Sequence, residues 1–115
     1  MHHTALSDVS GVITGGAGKR VTGVLADNAT AATVLWFQLH NLAADPTNEE
    51  PLVAVRVGAG ALVQVSFEDM ARDGLGGLDA TFADGIAWGW SSTRDTYTAH
   101  GTASEVSATI FYEEP

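Results

Sequence analysis

Thr81-Phe82-Ala83-Asp84-Gly85-Ile86-Ala87-Trp88-Gly89-Trp90 is the stretch on which the reading of the fold turns. Asp84-Gly85 is a tight-turn signal, because glycine accepts the positive φ that a hairpin turn of the primed type needs. Beyond it Ile86, Trp88 and Trp90 alternate with Ala87 and Gly89. One isoleucine and two indoles therefore share a face, and the opposite face carries only small groups. The segment reads as a hairpin, with Leu78 to Phe82 as one strand and Ile86 to Trp90 as the other. Large aromatics facing one way favour a packed sheet over a catalytic loop.

The same period of two extends along the chain in both directions. Arg20 to Ala26 reads as a strand ending in a turn at Asp27-Asn28. In Ala32 to His40, Leu35, Phe37 and Leu39 face one way and Val34, Trp36, Gln38 and His40 the other. Such a strand is covered on both sides or half-buried in an interface. Pro51 to Val57 places Val53, Val55 and Val57 on one face. Gly58-Ala59-Gly60 then joins it to a hairpin partner, Ala61 to Phe67. Glu68 to Asp73 forms one helical turn or an irregular loop, closed by Gly74-Leu75-Gly76-Gly77. After a polar loop, Ser91 to Gly101, the final strand is Glu105 to Tyr112, with Val106, Ala108, Ile110 and Tyr112 aligned. Residues 1–19 are small, polar and glycine-rich, and read as an extended N-terminal arm with one weak strand near Val9 to Ile13. These patterns predict an all-β chain of seven or eight short strands, an antiparallel β-sandwich of jelly-roll-like type, with the arm at 1–19 and a single domain at 20–115.

Composition agrees. The chain has 115 residues, 45% of them apolar, with 13 glycines and no cysteine. Disulfides and thiolate metal sites are excluded. The net charge of −9 repels phosphate, which disfavours nucleic acid and anionic membrane surfaces alike. No run approaches the ~20 apolar residues of a membrane span, and the N-terminal residues lack a secretory pattern. The expected place of synthesis is the host cytoplasm.

Candidate sites fail on spacing. Gly15-Gly16-Ala17-Gly18-Lys19 resembles a phosphate loop only superficially. Arg20 stands where a magnesium-binding Ser or Thr belongs, and a strand follows instead of a helix. His2, His3, His40 and His100 show no metal-ligand spacing beyond the adjacent pair, and His40 reads as a hydrogen-bonded, partly buried side chain. Ser91 or Ser92 with His100 and Asp95 can be written as a triad, but no nucleophile elbow accompanies them. Asp45, Asn48, Glu49 and Glu50, and separately Glu68, Asp69 and Asp73, offer oxygen ligands without the spacing of a calcium loop. Asn28-Ala29-Thr30 fits a glycosylation sequon. Trp88 and Trp90 are possible ligand-stacking residues for a sugar ring, weighed against burial in a core or interface. No cofactor is implied, and the chain is not expected to be an enzyme.

Several strands also carry apolar residues on their second face: Val34, Trp36, Leu52, Leu62 and Phe111. Merged into one patch they would form a contact surface. Val34, Trp36 and Phe111, together with Thr4, Leu6, Val9 and Val12 of the arm, are the expected partner and oligomer contacts.

The order of segments carries a resemblance. Val34-Leu-Trp-Phe-Gln-Leu-His-Asn41 precedes a loop with Asp45-Pro-Thr. Glu50-Pro-Leu-Val-Ala-Val-Arg-Val-Gly-Ala-Gly60 comes next, then Phe82-Ala-Asp-Gly-Ile-Ala-Trp-Gly-Trp-Ser91, and the closing strand holds Tyr112. Over residues 20–112 this resembles small β-sandwich virion structural proteins of tailed bacteriophages and prophages, of the head decoration or cement type. The family's glycine-threonine loop is replaced here by Pro46-Thr47-Asn48-Glu49-Glu50. The resemblance implies a virion component without catalytic residues. It implies a homo-oligomer, such as a trimer, bound across capsomers to the major capsid protein on the head surface. The alternative is a tail, collar or fibre-associated receptor- or carbohydrate-binding module.

Overall fold

The expected alternation becomes burial in the computed structural model, which describes residues 2–6, 8–29, 31–67 and 81–114. The nine strands among them are β1 (His2–Leu6), β2 (Ser10–Val12), β3 (Lys19–Asp27), β4 (Leu35–Asn41), β5 (Val53–Val57), β6 (Leu62–Ser66), β7 (Thr81–Phe82), β8 (Ile86–Ser91) and β9 (Ser107–Glu113). A 3-10 turn, Ala103–Glu105, precedes β9. Two antiparallel sheets result. The first has the order β1-β9-β3-β6, with β7 also paired to β3; the second has the order β2-β8-β4-β5. The chain is an all-β sandwich. The expected turn at Glu68 to Asp73, the Gly74–Gly77 break and residues Leu78 to Ala80 of the expected strand lie outside the described residues.

One core fills the space between the sheets. Leu35, Phe37 and Leu39 of β4, Val53, Val55 and Val57 of β5, and Ile86, Trp88 and Trp90 of β8 meet Val21, Val24 and Ala26 of β3 and Ala108 and Ile110 of β9. Phe37 stacks on Trp88 with ring centroids 6.3 Å apart and meets Trp90 edge-on at 5.1 Å. Such aromatic pairs contribute about 0.5–1.5 kcal/mol each beyond the area they bury. A register shift between Val21 and Gly23 lets Val21 and Val24 both point inward, although they are three residues apart.

Two expected hairpins are not hairpins. Thr81–Phe82 pairs with Lys19–Arg20 of β3, whereas Ile86–Ser91 pairs with β2 and β4 in the other sheet. Asp84-Gly85 is therefore a crossing between sheets and no hairpin turn, and Asp84 lacks the positive φ that an Asp-Gly turn of the primed type needs. Gly85 is still required, for a different reason. Its φ is 153°, and a Cβ there would stand 2.4 Å from the Leu42 carbonyl oxygen. Gly58-Ala59-Gly60 likewise carries the chain from β5 in one sheet to β6 in the other. A hairpin lays the apolar faces of two strands side by side, whereas a crossing turns them toward each other. Both satisfy the same alternation and the same glycines.

The N-terminal segment is also corrected. Residues 2–6 pair with β9, in the register His2↔Tyr112 to Leu6↔Ala108, and Ser10–Val12 pairs with β8. What was expected as an arm contributes an edge strand to each sheet, and Leu6 is part of the core. The physical reason is that β9 and β8 would otherwise leave a row of backbone groups unpaired. A boundary at residue 19 therefore separates no arm from a body.

Candidate functional site

The outer face of the second sheet is where polar chemistry is buried. β8 is flanked by β2 and β4, and its small outward residues Ala87, Gly89 and Ser91 are covered by the connection of residues 92–106 folding back over them. This connection is anchored through backbone bonds from Ser92 N to Thr98 O and from His100 N to Trp90 O. Tyr97 is its apolar anchor. The ring lies so close to Gly89 that a Cβ there would stand 2.4 Å from it.

Beneath the loop lie Gln38, His40 and Ser91, each at most 1% exposed. Gln38 Nε2 donates to the carbonyl oxygens of Thr93, Arg94 and Thr96 at 2.7, 3.1 and 2.9 Å. His40 Nε2 bonds Gln38 Oε1 at 2.9 Å. Ser91 Oγ donates to Thr96 O and accepts from the backbone nitrogens of Thr93 and Thr98. One carboxamide and one hydroxyl thus hold three carbonyls and two amides of a turn that has no ladder partner for them. Burial depresses the His40 pKa, and the nearby Glu49 carboxylate opposes that shift in part. Burial raises the Tyr97 pKa. Ser10 stands close enough to oppose that shift, yet the hydroxyl has no hydrogen bond of good geometry. Tyr97 and His40 meet edge-to-face, with ring centroids 5.9 Å apart.

The Ser91, His100 and Asp95 of the written-down triad do not meet: Ser91 serves the turn, His100 Nε2 bonds Glu105 at 3.0 Å, and Asp95 pairs with Arg94 at 2.8 Å. Among the described residues, no cluster of three or more His, Asp or Glu side chains is arranged to hold a metal. Glu68, Asp69 and Asp73 lie outside those residues. Lys19 of the glycine-rich stretch belongs to β3 and pairs with Glu114 at 2.8 Å. Asn28 is fully buried and donates to the carbonyls of Thr33 and Val57, so its sequon offers no accessible amide.

The first sheet presents the opposite kind of surface. On its outer face β3, β6 and β9 set Leu25, Leu62 and Phe111 among Thr22, Gln64, Ser66, Ser107 and Thr109. Among the described residues, Asp27 at the end of β3 is the formal charge set beside them, and the Arg20–Glu113 ion pair stands at the other end. Leu62 is 63% exposed.

The expected contact residues scatter over these surfaces. Phe111 is half-buried on the outer face of the first sheet, while Trp36 is half-buried beside Arg56 and Ser91 on the second. Val34 is half-buried just before β4, Val9 and Val12 are half-buried at the edge, and Leu6 is core. Thr4 pairs with Ile110. The surplus apolar residues therefore form no single patch, because Leu62 and Phe111 lie on the first sheet and Trp36 on the second. Trp88 and Trp90 are 4% and 0% exposed, which removes them as ligand-stacking residues.

Comparison with protein-family models, with curated proteins and with solved structures finds no match to this chain.

Sequence reasoning missed Gln38 and Tyr97. Gln38 lay within an alternation already marked as mixed, but no local signal tells a buried glutamine from a solvated one. The partner carbonyls are 55 to 58 residues away.

Proposed function

We propose that this chain is a structural protein of a tailed-bacteriophage particle, acting as a head decoration protein that binds the major capsid protein and its own copies. The observation that carries the reading is the outer face of the first sheet. In a chain of net charge −9, the described residues of this face carry one carboxylate, Asp27 at the strand end, and set Leu62, 63% exposed, and half-buried Phe111 among neutral side chains. Depletion of charge at the centre of a face, with a charged surround, is the pattern of a contact surface. The strand order supports the same reading. Six of the eight connections cross between the sheets, as in a jelly roll, an architecture used by capsid domains. The segment motifs over residues 20–112 supply the link to phage particles. The acidic surface suits an outer location, away from packaged DNA. The mechanism is mechanical: contacts spread across capsomer boundaries resist internal pressure, and many weak contacts add through multivalency.

The test is to separate particles of the encoding phage or prophage into heads and tails and quantify this chain in each by mass spectrometry. Recovery with heads supports decoration. Recovery with tails alone moves the protein to a tail, collar or fibre role, and absence from both ends the virion reading.

A further inference from the structure

The protonation pattern of His40 follows from Gln38. Gln38 Nε2 donates to three carbonyl oxygens, so the carboxamide orientation is set and Oε1 faces the imidazole. Oε1 only accepts. His40 Nε2 therefore carries the proton, and in the neutral ring Nδ1 is a bare lone pair. That nitrogen is buried without a hydrogen-bond partner, in a residue 1% exposed. The neutral ring tolerates this at the cost of one unmade bond. A second proton changes the balance, because it goes to Nδ1 and sets a charge and a donor where nothing accepts.

Two connections pack around the ring. The connection 42–52 brings Glu49, whose charge acts on His40 through space, together with Leu42, Glu50 and Leu52. The connection 92–106 brings Tyr97, whose ring meets the imidazole edge-to-face. Asp8 and Asp45 act on the Tyr97 phenol in turn, and the remaining charges of that connection near Tyr97, Arg94 and Asp95, pair with each other at the surface. Within the sheet, His40 has Gln38 beside it on β4 and pairs with uncharged Ala87 on β8.

The two connections answer a proton on His40 in opposite ways. Glu49 attracts an imidazolium, and hydrogen bonds from Thr47 keep its carboxyl ionised below the usual range. The connection 42–52 is drawn toward the charge. Tyr97 gives the charge no bond: its hydroxyl is itself buried without a partner, so it does not bond His40. Its ring already lies against Gly89 and cannot move inward. Gln38 joins the two events, since the carboxamide that accepts from His40 also holds the carbonyls of Thr93, Arg94 and Thr96.

We propose that the connection 92–106 is an acid-released cover: proton uptake by His40 lifts it from β8 while both sheets stay folded, and water reaches the ring through the space that Tyr97 leaves. Opening bares Ala87, Gly89 and Ser91, which are buried in the closed form. The closed form resists protonation of His40 and the open form does not. The cover is therefore held fully above about pH 6.5, loosens as pH falls below that value, and loosens no further once the depressed pKa of the closed form is passed.

The test is amide hydrogen exchange on the full ¹⁵N-labelled chain, followed by NMR between about pH 7.5 and about pH 5 and corrected for the intrinsic rate at each pH. Four amides report the cover: Ser92 donates to Thr98 O, His100 to Trp90 O, and Thr93 and Thr98 to Ser91 Oγ. Leu42, which donates to His40 O, and Leu52, which donates to Leu39 O, report the other connection, and the β3–β9 ladder reports the first sheet. Protection of the four cover amides is expected to fall at least about threefold over that range, with its inflection at the pH where the His40 ring titrates in the same sample. The Leu42, Leu52 and ladder amides should change by less than about twofold. H40Q keeps a donor for Gln38 Oε1 and removes the titrating group, so its cover amides should show no such fall; should H40Q not fold, the two inflections of the unaltered chain decide. A smaller fall at the cover, an equal fall at Leu42 and Leu52, a parallel fall along the ladder, or a fall that persists in folded H40Q would each overturn the proposal. The outcome is independent of the particle role, because the cover can open or stay closed whether or not the chain is found in heads.

Discussion

The two outer faces of the sandwich are built on opposite plans. On the second sheet, β8 puts small residues outward, and the chain covers them with its own connection 92–106, locked by Gln38, His40 and Ser91. On the first sheet, β3, β6 and β9 put hydroxyls, an amide and a few apolar groups outward, where Leu62 is 63% exposed and Phe111 half-buried. The difference teaches where the chain has committed its stability. On the second sheet the outward residues of β8, with Gln38 and His40 of β4, are as buried as the core. On the first, Leu62, Gln64 and Ser107 are exposed while Leu25, Thr109 and Phe111 are half-buried.

Substitutions sharpen or break this contrast. The largest effect is expected at Gln38. Gln38→Ala takes the side-chain donor from the Thr93 and Arg94 carbonyls and the acceptor from the His40 N–H beneath the loop, while Thr96 O keeps Ser91 Oγ, at a cost of about 2–4 kcal/mol in urea unfolding at neutral pH. A cost below about 0.5 kcal/mol would mean the covered face is no more committed than the open one. Gly89→Ala comes next. The added Cβ meets the Tyr97 ring and must displace the loop, costing about 1–3 kcal/mol and exposing Tyr97 to a fluorescence quencher.

The third effect is a dependence on pH. The folded-state pKa of His40 lies below its unfolded value, so the unfolded chain takes up the proton first. Stability is full above about pH 6.5, declines as pH falls below that value and levels off once the folded-state pKa is passed. His40→Gln is expected to flatten that part of the profile, as read by urea midpoints across pH; an unchanged slope would assign the effect to another group. The smallest effect on folding is expected at Leu62. Leu62→Ser on the open face should change stability by no more than about 0.5 kcal/mol while weakening co-sedimentation with heads. Strong destabilisation there would erase the distinction between the faces.

Much of the strand content was legible in the sequence, and particular residues show why. Leu35, Phe37, Leu39, Val53, Val55 and Val57 each fell on the inward face that alternation assigned them. The side-chain period of a strand is a local property and needs no partner to be read. The partners themselves were not legible. Nothing near Asp84-Gly85 says that Phe82 pairs with Lys19 while Ile86 pairs with Asn41. The candidate site was less legible still, because Gln38, Ser91 and Tyr97 become a network only after the connection 92–106 folds back over β4 and β8.

The sequence by itself determined which residues turn inward, where the chain bends and that sheets rather than helices form, because alternation, β-branching and glycine act within a few residues. Only the tertiary structure decided that the bends at Gly58–Gly60 and Asp84-Gly85 pass between sheets, that β1 and β2 each take one edge of a sheet, and that the connection 92–106 covers the outward side of β8. Those choices rest on hydrogen-bond partners such as His2 and Tyr112, which lie at opposite ends of the chain and meet only once both sheets exist.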